Sequence, residues 1–200
     1  MEKYVITITR QFGSLGRPIA ARLSEILNIE YYDREIVERT ARQMGETVAV
    51  IGEEEERAKK GFAWMKIPFG FSTTDKQDEI FQKEQKIIEQ FAAKQSCIVV
   101  GRCSDYVLRE YENAIHIYIY APFEARLKNC VETLKMEKQE AKRTIQAVDK
   151  MRDIYHKTYA GFLPSDIEYK NLMIDSSLLG VEGTAEYIAR LVRKKFGMED

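Results

Sequence analysis

The segment Gln11-Phe12-Gly13-Ser14-Leu15-Gly16-Arg17 joins a run rich in β-branched residues, 4–9, to a pattern in which Ile19, Leu23, Ile26 and Leu27 recur on one helical face. A glycine-bearing turn between a strand and the first turn of a helix aims backbone N–H groups and the positive end of the helix dipole at one point. Such an arrangement suits a phosphate. The loop has the length of the phosphate-cradling pattern G-x-x-x-x-G-K, with Gln11 in place of the first glycine and Arg17 in place of the lysine. Pro18 suits a first helical turn, but it stands where that pattern carries the Ser or Thr hydroxyl that holds Mg²⁺. The same residues would equally make a plain strand-to-helix turn with a surface arginine.

Two other short motifs follow strand-like runs. Tyr31-Tyr32-Asp33-Arg34 ends the second, and Gly101-Arg102 ends a buried-looking run, 97–101. Ligands of open parallel sheets gather outside the carboxyl ends of the strands, so Arg17, Asp33, Arg34 and Arg102 are expected to converge on one crevice. Asp33 as a helix N-cap and Arg102 as a surface residue are the alternatives that these residues leave open.

The elements that must position these groups alternate along the chain. Strands are expected over 4–9, 29–32, 97–101, 115–120 and 169–174. Helices are expected from Pro18, from Asp33 to Gly45, and over 78–95, 104–111, 122–134, 137–160 and 184–196. Residues 46–77 begin with the acidic run Glu53–Glu56, continue into aromatic residues at 62–71, and read as an insertion, a substrate-side arm. Strands alternating with helices predict an α/β, three-layer fold, a parallel sheet with helices on both faces. At 200 residues, with no internal repeat and no Pro- or Ser-rich linker, the chain reads as a single domain, 1–200.

Composition narrows the chemistry further. Thirty-one Lys and Arg against thirty-two Asp and Glu leave a net charge of −1, which removes a whole-molecule attraction to nucleic acid or an anionic membrane. The basic stretch Arg190-x-x-Arg193-Lys194-Lys195 lies on the terminal helical pattern and reads as its solvated face. No apolar run approaches the roughly 18–20 residues that span a bilayer, and the first residues lack the apolar core of a signal peptide, so a cytoplasmic protein is expected. The spacing of Cys97, Cys103 and Cys130 assigns neither a disulfide nor a zinc site.

Taken together, the motifs resemble those of the cytidylate kinase-like family of P-loop kinases. Ile8-Thr9-Arg10-Gln11-Phe12-Gly13-Ser14-x-Gly16-Arg17 is similar to its modified P-loop, although Leu15 and Pro18 stand where the family usually has Gly and Glu. Tyr31-Tyr32-Asp33-Arg34-Glu35-Ile36, Val100-Gly101-Arg102 with Asp105-Tyr106, and Ala121-Pro122-x-Glu124-x-Arg126 carry the likeness onward. Asp149-Lys150-x-Arg152 and Ile174-Asp175-Ser176-Ser177 resemble its late motifs. The resemblance implies a P-loop kinase-like fold with a helical lid, at about 122–160. It implies transfer of the γ-phosphoryl group of ATP, with Mg²⁺, to a nucleoside monophosphate, a cytidine nucleotide above others. It also implies roles for residues. Gly13, Ser14, Leu15, Gly16 and Arg17 would hold the nucleotide, with Arg17, Arg102 and Arg126 in catalysis. Asp33, Arg34, Arg102, Arg143 and Arg152 would bind substrate. Asp33 and Asp105 are the carboxylates available to magnesium water or the acceptor, with no metal ligand assigned. Arg143 and Arg152 sit among other charges and equally fit a solvated helix face. A small-molecule kinase of shikimate kinase-like layout and a nucleotide-binding sensor or assembly module without turnover are the alternative readings, and a homo-oligomer stays open.

Overall fold

Five strands, β1 (Val5–Arg10), β2 (Glu30–Tyr32), β3 (Cys97–Val100), β4 (Ala114–Tyr120) and β5 (Leu172–Asp175), form one parallel sheet in the order β2-β3-β1-β4-β5. Their register is continuous, with Ile8 opposite both Val100 and Ile117, so β1 is hydrogen-bonded on both edges. The computed structural model describes residues 3–45 and 75–198, which places the acidic run 53–56 and the aromatic segment 62–71 outside the described residues. The helices are α1 (Gly16–Leu27), α2 (Arg34–Met44), α3 (Asp75–Lys94), α4 (Ser104–Val107), α5 (Phe123–Glu132), α6 (Lys138–Ala160) and α7 (Gly180–Phe196). Among the described residues, no helix is long and apolar enough to cross a membrane.

Side chains alternate across the sheet, and each face has its own cover. Ile6 and Ile8 pack with Ile19 and Leu23 of α1 and with Ile188 and Val192 of α7. Val5 and Val99 face the other way, onto Ile87, Ile88 and Phe91 of α3. This is the expected three-layer α/β fold. A smaller cluster joins Leu127 and Cys130 of α5 to Ala141 and Ile145 of α6, with Phe12 packed against it, so this helix pair carries a core of its own. All three cysteines are buried free thiols.

Some boundaries differ from expectation. The helix expected over 104–111 ends at Val107, and the turn leading into β4 follows, with Tyr111 N–H donating to the Leu108 carbonyl. The strand expected over 169–174 begins only at Leu172. Tyr169 instead closes a 3₁₀ turn and stacks on Phe162 at 3.7 Å, and Lys170 is drawn to Asp105. The last helix starts at Gly180 rather than at Thr184, with Gly180 at φ 63° and its N–H on the Ser176 carbonyl.

Tyr32, the last residue of β2, stacks on the fully buried Phe91 with ring centroids 3.6 Å apart. This contact fixes the strand end from which Asp33 emerges. Phe91→Ala should lower unfolding stability by about 3–5 kcal/mol, read as a reduced urea midpoint at unchanged slope. A shift under about 1 kcal/mol would show that the stack does not anchor this edge of the sheet.

Candidate active site

The loop between β1 and α1 is held by its carbonyls. Ser176 Oγ donates to the Ser14 carbonyl at 2.7 Å, Asn129 Nδ2 to that of Gly13 at 2.9 Å, and Arg126 Nη1 to that of Phe12 at 3.2 Å. Ser14 Oγ donates to the carbonyl of Gln11 at 2.9 Å. The first turn of α1 leaves its N–H groups without intrahelical acceptors, and Pro18 removes only a proton that such a turn would not use. Gly13 lies at φ 78° and Leu15 at φ 61°. A left-handed leucine costs roughly 1–2 kcal/mol, a strain of the kind stored where backbone shape serves binding.

Asp149 of α6 ties this loop to the helix pair behind it. Its Oδ1 accepts from Phe12 N–H at 2.7 Å, and its Oδ2 accepts from Arg126 Nη1 at 2.5 Å. Arg126 is therefore brought to the loop, where it is buried and paired with Asp149. Asp149 belongs to the Asp149-Lys150-x-Arg152 motif, yet the sequence reading gave it no role.

Asp33 follows β2 but does not cap α2, contrary to the capping alternative. No capping hydrogen bond forms from its side chain, and its carboxylate turns into the crevice to meet Arg17 Nε and, at 3.8 Å, Arg10 Nη2. Arg17 is largely exposed, its side chain 64% accessible, and lies over this carboxylate from the solvent side. Arg10 is buried beneath, its pKa pushed down to about 9 by burial and by Arg152, with Asp33 acting in the opposite sense. Arg152 Nη1 donates to the Arg10 carbonyl at 2.8 Å. Its own pKa is lowered, mainly by burial. The backbone of Arg34 opens α2.

The end of β3 bends back through three successive left-handed residues, Gly101 (φ 76°), Arg102 (φ 58°) and Cys103 (φ 49°). This turn sets Arg102 Nη1 3.1 Å from Glu84 Oε1, without the alignment of a hydrogen bond. Glu84 is fully buried on α3, where burial raises its pKa to about 8 and the Tyr155 hydroxyl, donating to Oε2 at 2.9 Å, acts against that. Glu84 also escaped the sequence reading. Its signal was a charge placed on the apolar stripe Ile80, Ile87, Ile88 and Phe91.

Two expected site residues lie elsewhere. Arg143 is exposed on α6. It is nine residues before Arg152, two and a half helical turns, and so on the opposite side of the helix. Asp105 is sealed under the sheet end, accepting from Lys170 Nζ at 2.5 Å and sharing a contact of 2.9 Å with His156 Nε2. Burial alone would raise its pKa, but His156 and Lys170 bring it down to about 2. It is thus withdrawn from magnesium water or an acceptor. Among the described residues no group of three or more His, Cys, Asp and Glu side chains could hold a metal. With no hydroxyl at Arg17 or Pro18 and Asp33 beside both Arg17 and Arg10, the described side chains do not fit a protein-held Mg²⁺.

Beside the arginines, on the side toward β4 and β5, is a cavity of about 250 Å³ lined by Arg10, Arg152 and Asp149 and walled by Tyr118, Tyr120 and Met173. The Tyr118 hydroxyl is pushed up to about 12, mainly by burial. Asp153 joins this lining, so the cavity sets an aromatic wall against two basic and two acidic residues.

The sequence pattern of the cytidylate kinase-like family matches residues 5–178, from the first residue of β1 to the turn beyond β5. The chain belongs to this family. No curated protein matches this cytidylate kinase-like chain. An uncharacterized protein from Eubacterium ventriosum shares 23% identity, with a TM-score of 0.72 over 95% of this chain and 98% of that one. Shikimate kinase from Acinetobacter baumannii, in complex with shikimate, gives a TM-score of 0.56 at 15% identity over 96% and 94%. The YorR protein from Bacillus subtilis, in complex with phosphorylated GDP, gives 0.51 at 12% identity over 98% and 99%. At these identities the likeness shows the fold, which is that of P-loop kinases.

Folded Glu84 keeps its proton to about pH 8, whereas a carboxyl at its ordinary value of 4.5 releases it far earlier. Stability should therefore fall as pH rises through that window, by up to about 1.4 kcal/mol per pH unit. Glu84→Gln should flatten the slope in urea unfolding between pH 5 and 8. A slope that survives the substitution would have to come from another group.

Proposed function

We propose that this chain transfers the γ-phosphoryl group of ATP to a nucleoside monophosphate, a cytidine nucleotide before others. The observation that carries the reading is the gathering of Arg10, Arg17 and Arg152 around Asp33, with Arg102 on the next strand end, beside the loop 11–17. Asp149 stands near Arg152 and buried Glu84 beside Arg102, yet four guanidinium groups meeting at these strand ends suit a polyanion. Family membership supports a kinase, and loop 11–17 is the element that would take the donor phosphates on its N–H groups. Arg126, held at the loop by Asp149, would join from α5, so that α5 and α6 act as the lid. Asp33, Arg102 and Arg152 would receive the acceptor.

The chemistry of the acceptor separates this from the small-molecule reading. A phosphate monoester is already largely anionic at pH 7, so its oxygen attacks the γ-phosphorus directly. The new P–O bond forms as the bond to the bridging oxygen breaks, ADP departs, and no proton need be abstracted. A hydroxyl acceptor would require a base. Asp33, the candidate at this crevice, is occupied by Arg17 and Arg10. Positioning and guanidinium charge then carry the catalysis.

Purified protein with Mg²⁺ and ATP, offered ribo- and deoxyribonucleoside monophosphates and shikimate, should release ADP fastest with the monophosphates. Arg102→Ala should lower kcat/KM by on the order of 10²–10³-fold while leaving the thermal midpoint nearly unchanged. Binding of ATP with no product from any acceptor would replace the kinase by a sensor, a reading favoured by the want of a hydroxyl at both Arg17 and Pro18.

A further inference from the structure

We propose that Arg10, rather than Arg17, is the phosphate-binding cation that replaces the lysine of the P-loop pattern. This inference rests on the phosphoryl-transfer reading above. The helix that follows the loop begins at Gly16, and the residue that makes the left-handed turn into it is Leu15, at φ 61° and ψ 18°. In the pattern G-x-x-x-x-G-K the second glycine makes that turn and the lysine follows it. The structural frame therefore lies one residue before the one the glycines suggest. Arg10 takes the place of the first glycine, Leu15 of the second, and Gly16 of the lysine.

Position 16 has no side chain because Arg10 fills its space. A Cβ on Gly16 would lie 2.7 Å from Arg10 Cβ and 2.9 Å from Cγ. At the far end of the same side chain, a Cβ on Gly101 would lie 2.2 Å from Arg10 Nη1. One glycine clears the stem and another clears the head. The Arg10 side chain thus runs from the end of β1, over the first residue of α1, to the end of β3. Its guanidinium stands between the loop 11–17 and Arg102, the two places assigned to donor and acceptor.

Arg10 is also poorly neutralised where it stands. Its side chain is 14% accessible, and among the described residues the carboxylate within 4 Å of it is that of Asp33, with Oδ1 at 3.8 Å from Nη2. That distance is too long for a hydrogen bond, so the fork of donors keeps capacity for an anion. Arg17, Arg102 and Arg152 act on it as like charges. A buried cation in that position is costly until an anion arrives. Arg17, by contrast, is open to solvent and bonded through Nε to Asp33.

Isothermal titration with inorganic pyrophosphate and with ATP tests the assignment on wild type, Arg10→Ala, Arg17→Ala and the double variant Arg10→Gly with Gly16→Lys, which moves the cation back to the helix. Arg10→Ala should weaken pyrophosphate binding by about 30–100-fold, the scale of a lost charge-assisted contact. Arg17→Ala should weaken it less, and the double variant should recover most of the loss. Equal binding by wild type and folded Arg10→Ala would overturn the assignment. A folded double variant that does not bind would do the same. Should the variants not fold, the side-chain Nε–Hε resonance of Arg10 in the unaltered protein decides. It should shift as pyrophosphate is added, and a stationary signal while those of other arginines move would sink the proposal. Wild type that binds neither pyrophosphate nor ATP would instead remove the phosphoryl-transfer reading beneath it.

Discussion

Guanidinium groups crowded into a shielded crevice repel one another, and much of the structure around β1 is explained by the need to hold them there. Two unit charges 4 Å apart interact by about 4 kcal/mol at the effective dielectric near a protein surface. Asp33 offsets part of this for Arg10 and Arg17, and the Arg10 carbonyl accepts from Arg152. The left-handed turn at Gly101, Arg102 and Cys103 is strained, yet it sets the next guanidinium beside buried Glu84. On the proposed function, a multiply charged anion would supply the counter-charge that these groups lack.

The same logic explains how the loop is joined to α5 and α6. The carbonyls of Phe12, Gly13 and Ser14 are each turned to a donor, on α5 or just after β5, and the Phe12 N–H is taken by Asp149. The loop is thus shaped from outside, by contacts with α5 and α6, as well as by Gly13 and Gly16 within it. This accounts for a phosphate-type loop that tolerates Leu15 and Pro18. A shift of α5 and α6 alters the loop directly, because Asp149 connects Phe12 and Arg126 through one carboxylate.

The fold was legible in the sequence because strand and helix periods alternate clearly and the strand ends carry short, recognisable motifs. The strand-end convergence of Arg17, Asp33 and Arg102 followed from parallel topology alone. The frame of the loop did not follow. Gly13 and Gly16 satisfy the spacing in one register, whereas the helix start and the path of Arg10 place the loop one residue earlier, and only coordinates show which side chain fills the space above Gly16. The surroundings of Arg143 and Asp105 were not legible for a related reason: composition reveals a charge but not the side of a helix it occupies or the partner that sequesters it. Asp105 meets its partners at His156 and Lys170, distant in sequence. Glu84 was readable in principle, as a carboxylate inside an apolar stripe.

The three thiols have a practical consequence. Cys97, Cys103 and Cys130 are all fully or almost fully buried, and burial raises the pKa of each, that of Cys97 to about 12. Nucleophilic sulfur is thiolate sulfur, so these residues react slowly with alkylating dyes at neutral pH. The native chain is therefore a ready background for site-directed labelling. One cysteine introduced on the exposed side of α6 would be its single fast-reacting thiol, and a fluorophore there could follow that helix without first stripping the protein of its own sulfur.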